Sequence, residues 1–121
     1  FVQLGTSQDD DIVLDFFGGS GTTAEAVLRQ NMIDRKKRRF IFITLPEKIN
    51  QTTQAGKNAK SLGCETIADV ARLRILKAIE KINKESLAVA NGADRMKDSG
   101  FKYFTATPSH FKKWQESKIK K

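Results

Sequence analysis

"VLDFFGGSGTTAEAV", Val13 to Val27, decides how this chain is read. A continuous apolar run centred on Ile12, Val13 and Leu14 leads into Asp15, and such a run from Asp11 to Phe16 has the pattern of a strand buried on both faces of a parallel sheet. Gly18-Gly19-Ser20-Gly21 then forms a tight turn. Thr22 or Thr23 is placed to cap a helix beyond it, with Glu25 in the first turn and Ala24, Val27, Leu28 and Met32 on the apolar face. Glycine adopts positive φ and lets backbone approach a bound group, and a helix start offers unpaired N–H groups with a partial positive charge. A strand, glycine turn and helix in this order therefore suit a polar or anionic ligand.

The next segment, "IDRKKRRFIFITLP", carries the basic run Arg35 to Arg39 and an apolar strand from Phe40 to Leu45 that Pro46 terminates. Strand, helix, strand predicts a right-handed parallel crossover, with the basic run at the end of the sheet opposite the glycine turn. Glu47 to Glu65 is polar and reads as loop with one short helix around Gln51 to Leu62. "ETIADVARLRILKAIEKINKE" predicts a long helix: Thr66 and Asp69 form a capping-type start, and Ile67, Val70, Ala71, Ile75, Ala78, Ile79 and Ile82 recur at helical spacing. Arg72, Arg74, Lys77 and Lys81 fall on its polar face. Asn91-Gly92 marks a turn, and the alternation of Phe101, Tyr103 and Thr105 predicts a third strand. Ser109 is placed to cap a short final segment holding Trp114, and Lys118 to Lys121 form a lysine-rich end.

With 121 residues and 39% hydrophobic content, the chain fits a single modest core. Lys and Arg number 22 against 14 Asp and Glu, a net charge of +8 that favours anionic partners such as nucleic acid. One cysteine, Cys64, and one histidine, His110, supply neither an internal disulfide nor zinc-type spacing, and both read as structural. No apolar run approaches a membrane span, and no signal-peptide pattern opens the chain, so a cytoplasmic location is expected. The chain opens at Phe1 without an initiator methionine, which suggests a piece of a longer protein.

Several chemistries compete for the turn. A P-loop needs a lysine after its last glycine, and Thr22-Thr23 follow Gly21 here. A dinucleotide fingerprint is formally present as Gly19, Gly21 and Ala24, but Thr44 and Leu45 stand where that reading wants an acid, so a dinucleotide-binding Rossmann unit stays open. A basic nucleic-acid-binding or assembly module without cofactor stays open as well. A mere connector needs one glycine, not three.

"DFFGGSGTTAEAV" resembles the D-x-F-x-G-S-G-T-T turn with which amino-group DNA methyltransferases bind S-adenosylmethionine. "RRFIFITLPE", "ETIADVARLRILKAIEKI" and "GFKYFTATPSHFKKW" resemble segments of the modification subunits of type III restriction systems. The resemblance implies an α/β, partial Rossmann-like methyltransferase fold: three-layer α/β/α with mainly parallel strands. It implies that residues 1–121 are the C-terminal part of the S-adenosylmethionine-dependent methyltransferase domain. The cofactor-binding residues it implies are Asp15 at the strand end, Phe16, Phe17, Gly18, Gly19 and Gly21 of the turn, and the hydroxyls of Ser20, Thr22 and Thr23. Thr44 takes the place where many methyltransferases bind the ribose with an acid; type III relatives often carry an uncharged polar residue there.

The family's [DNS]-P-P-[YFW] motif, which holds a flipped base during adenine-N6 methylation, is absent, because the two prolines, Pro46 and Pro108, are far apart. The resemblance thus implies a cofactor-binding portion with no catalytic residue of its own. The target-reading region lies elsewhere in the full-length protein, which is expected to act on DNA as a homodimer together with a restriction subunit.

Overall fold

Strand β1 (Ile12–Asp15), helix α1 (Thr22–Asp34) and strand β2 (Arg39–Phe42) follow one another in a computed structural model that describes residues 9–89 and 100–110. The two strands pair in parallel, with Val13 opposite Phe40 and Asp15 opposite Phe42. Their ladder continues past both strand ends: the Lys37 N–H donates to the Asp9 carbonyl at 2.8 Å, and the Ile43 N–H to the Asp15 carbonyl at 2.8 Å. Side chains alternate across a strand, so Val13, Asp15, Phe40 and Phe42 share one face and Ile12, Leu14 and Ile41 the other.

Only the first of these faces is covered. Phe40 and Phe42 pack against a core of Ala24, Leu28, Ile75, Ala78 and Ile82, whereas Ile12, Leu14 and Ile41 remain 50%, 56% and 50% exposed. The expected burial of β1 on both faces therefore does not occur among the described residues, and neither does the expected three-layer arrangement. The core that covers the Phe40 and Phe42 face comes from α1 and from the helix Ile67–Val89, and a strand is enclosed only where a layer stands on each side.

Helix α1 buries Ala24, Val27 and Leu28, with Met32 partly buried beside them, as its periodicity predicts. It ends where Arg35 turns left-handed at φ 57°. There Asn31 bonds the Arg38 backbone in both directions: its Nδ2 donates to the carbonyl at 2.8 Å, and its Oδ1 accepts from the N–H at 3.2 Å. The Arg38 guanidinium donates to both Asp34 oxygens, at 2.9 and 2.8 Å, from a side chain only 1% exposed. This fork holds the Asp34 carboxyl well below the usual carboxylate range. Part of the basic run is thus turned inward to close the helix–strand junction.

Helix α2 (Gln54–Ser61) falls within the segment expected for it, and its Thr53 hydroxyl accepts from the Gly56 N–H at 3.1 Å. Helix α3 (Ile67–Val89) begins as predicted. The Thr66 N–H donates to Asp69 Oδ2 at 2.9 Å, and the Asp69 N–H donates back to Thr66 Oγ1 at 3.2 Å, which closes a reciprocal cap. Ala68, Ala71, Ile75, Ala78 and Ile82 are buried, and a fully buried Ile82 contributes about 2–3 kcal/mol by the usual transfer scale.

The third strand expected at Phe101 to Thr105 does not form. Phe101 instead packs on the core, and the Arg72 guanidinium sits 5.4 Å from the centre of the Tyr103 ring. Side-chain anchoring holds the segment where no strand edge pairs with it. The expectations for Asn91-Gly92, Trp114 and Lys118 to Lys121 lie outside the described residues. Cys64 is buried at the end of α2, His110 is exposed, and no described helix is long and apolar enough to cross a membrane.

Candidate functional site

The polypeptide leaves β1 through Asp15, whose Oδ1 accepts from the Phe17 N–H at 3.1 Å. This bond bends the backbone sharply and throws the Phe16 and Phe17 rings outward, 59% and 87% exposed, with centroids 4.9 Å apart. The turn is then tied to the end of β2 at two points. The Gly18 N–H donates to the Ile43 carbonyl at 3.0 Å, and the Thr44 hydroxyl donates to the Gly19 carbonyl at 3.2 Å.

Each of the three glycines is required for a different reason. A Cβ on Gly18 would overlap the Phe42 ring. Gly21 has φ +86°, and a Cβ there would lie 3.3 Å from the backbone and methyl of Ala71, so this glycine lets α1 and α3 approach each other. Gly19 has φ +52°, but the nearest atom a Cβ would meet is the Phe17 carbonyl oxygen, 3.9 Å away. Of these three, Gly19 alone has open space in front of it. Of the glycines expected to wrap a ligand, Gly19 therefore faces that space, whereas Gly21 serves helix packing.

The expected cap by Thr22 or Thr23 is not formed. Gly21 is the N-cap, and it offers no side-chain cap to the amides of the first turn. The left-handed backbone at this point excludes a threonine cap, and Thr22 is already helical. The first intrahelical bond runs from the Glu25 N–H to the Gly21 carbonyl at 3.1 Å, so the amides of Thr22, Thr23 and Ala24 precede the helical ladder. Together with the Gly19 backbone they make an amide-bearing start of a helix, which suits a polar group with acceptor atoms. Ser20 and Thr23 stand half-buried beside it.

The structure thus brings Asp15, Phe16, Phe17, Gly18, Gly19, Ser20, Gly21, Thr22, Thr23 and Thr44 into one neighbourhood. It adds Arg74 of α3, which reads in the sequence as a wet-face residue: its Nη1 lies 3.3 Å from Thr22 Oγ1 and 3.6 Å from Glu25 Oε2. The signal available for this contact was Ala71, a small residue on the apolar stripe one turn before Arg74 that permits close approach to a glycine.

Comparison with known proteins gives a consistent result. Residues 2–66 match a family model described as DNA methylase. The chain is 43% identical over 101 residues to the Mod subunit of the type III restriction-modification enzyme EcoPI of Escherichia phage P1, covering 84% of this chain. It is 40% identical over 101 residues to the StyLTI Mod subunit of Salmonella typhimurium, covering 83% of this chain, and 32% identical over 110 residues to the EcoP15I Mod subunit of Escherichia coli, covering 91%. It spans 14% of the length of each of these relatives.

Proposed function

The chain belongs to the DNA methylase family, and from that premise we propose that residues 1–121 form the C-terminal, cofactor-binding portion of a type III modification methyltransferase. The observation that carries this reading is the Gly19 side of the turn: open space in front of a left-handed glycine, beside helix amides that no side chain caps. Bound S-adenosylmethionine would supply a methyl group activated by its sulfonium.

The chain's own part is to bind and orient. The Gly19 backbone and the Thr22 to Ala24 amides would hold the acceptor atoms at the methionine end of the cofactor. Asp15 sets the bend that presents them, and the exposed Phe17 ring shields an apolar flank. The single Thr44 hydroxyl proton is used on Gly19, so Thr44 would hold a ribose hydroxyl only as an acceptor. No residue of this chain is assigned to base flipping or methyl transfer. In the intact protein, those tasks and sequence recognition belong to other segments.

The open sheet face of Ile12, Leu14 and Ile41 supports a three-layer, Rossmann-like domain of which the described residues are one side. The full-length protein acts on DNA in the cytoplasm as a homodimer with a restriction subunit; the word "subunit" in the relatives' names supports such an assembly. Titration with labelled S-adenosylmethionine, with NAD and ATP as competitors, tests the cofactor assignment. Saturable binding that neither competitor displaces is expected. Equal displacement by NAD would return the site to the dinucleotide reading, and no binding by the intact protein would remove the cofactor from this turn.

A further inference from the structure

The most conspicuous cations in the sequence, Arg35 to Arg39, are not its best anion surface, because Arg38 is buried on Asp34. A second cationic surface lies along the seam between α1 and α3. An open groove there is lined by Arg29, Arg74, Lys77 and Lys81 over apolar Val70 and Leu73, with Glu25 as its carboxylate. Glu25 is shared by Arg29 at 2.9 Å and Arg74 at 3.6 Å, so it offsets only part of their charge. Lys81 lies 3.8 Å from Glu85 across solvent, a weak pair.

Arg74, Lys77 and Lys81 follow the i, i+3, i+7 spacing of one helix stripe, and at ~1.5 Å per residue they span about 10 Å. Phosphates on one strand of duplex DNA advance ~3.4 Å along the axis, so the stripe covers about three phosphate-to-phosphate steps. Cations in a line suit evenly spaced phosphates better than a single carboxylate. The upper end of the groove touches the glycine turn, where Arg74 reaches Thr22.

We infer that the α1/α3 groove docks the phosphate backbone of nucleic acid, holding a strand that runs past the glycine turn. This rests on the reading of DNA as the substrate and is independent of the cofactor assignment.

The test is fluorescence anisotropy of a labelled duplex between about 50 and 200 mM salt, comparing the protein with two charge-matched double variants. One is Lys77→Gln/Lys81→Gln in the groove; the other is Lys57→Gln/Lys60→Gln on α2. All four positions are exposed and glutamine is a good helix former, so circular dichroism should show both variants folded. Each phosphate that is no longer neutralised lowers the slope of log affinity against log salt by about 0.9. That slope should therefore become shallower by roughly 2 in the groove variant and stay near that of the parent in the α2 variant. Equal changes in both variants would assign the attraction to net charge and overturn the inference. Groove-dependent binding of polyglutamate in preference to duplex would also overturn it, in favour of an acidic protein partner. Duplex binding that depends on the groove in a protein unable to bind S-adenosylmethionine would sustain this inference while breaking the cofactor reading.

Discussion

The two ends of β2 are secured by different means. At its amino end, Arg38 is buried in a fork on Asp34, and Asn31 satisfies the Arg38 backbone from the last turn of α1. Among the described residues no buried side-chain nitrogen or oxygen lacks a partner, so this end is chemically saturated. At its carboxyl end, two hydrogen bonds, from Gly18 to Ile43 and from Thr44 to Gly19, hold a turn whose outer side is open and whose flanking side chains Phe16, Phe17 and Leu45 are exposed. One end is closed by charge and burial, and the other is kept in shape but unfilled. A saturated junction sets geometry, whereas an open one with its backbone already held in place has the preorganisation that the proposed function asks of a binding site.

That contrast places the greatest loss of stability at the closed end. Arg38→Ala removes the fork and leaves the Asp34 carboxylate facing a gap, so thermal melting should drop sharply. A melting curve like that of the unaltered protein would show that the junction is held by packing alone.

Gly18→Ala should come next, at about 1–3 kcal/mol, because the added methyl must displace the Phe42 ring from the core face. Chemical denaturation measures it, and a neutral result would mean that Phe42 has room to move. Gly19→Ala separates the two properties of the open end. With space in front of it, this change should cost only the ~1–2 kcal/mol of a left-handed non-glycine residue, yet it should weaken S-adenosylmethionine binding by more than that stability loss explains. Parallel melting and titration curves decide between a ligand site and a connector.

Thr44→Val removes one tie of the open turn and should cost about 1 kcal/mol, with Thr44→Ser close to the parent. The same Asp34–Arg38 fork also governs acid stability. The folded carboxyl of Asp34 titrates below its unfolded value of about 3.9, so the stability it adds is complete above that pH and is lost as pH falls further. Asp34→Asn should accordingly flatten the fall in melting temperature below about pH 4, and an unchanged acid limb would place the sensitivity in other carboxylates.

How much of this is legible in the chain follows from the range of the interactions involved. The β1–turn–α1–β2 unit rests on periodicity and α3 also on capping residues three positions apart, which are local; these elements form in the expected order, although β2 spans Arg39–Phe42 where the sequence suggested Phe40 to Leu45. The expected third strand fails for a non-local reason. Phe101, Tyr103 and Thr105 alternate like a strand, yet a strand also needs an unpaired edge within reach, and alternation carries no information about that. The threonine cap fails because residue type predicts capping only where the backbone entering the helix is extended, and Gly21 enters it left-handed.

The sequence by itself therefore determined the order strand, glycine turn, helix, strand and the two helices that follow it. Only the tertiary structure decided what each glycine is for and which cations stay available. Gly18, Gly19 and Gly21 are alike in the chain but face a ring, open space and a neighbouring helix. Adjacent arginines at Arg38 and Arg39 end up buried and exposed because backbone direction at a strand entry alternates. Arg29 and Arg74, 45 residues apart, come to line one groove because Gly21 and Ala71 have too little side chain to keep two helices apart.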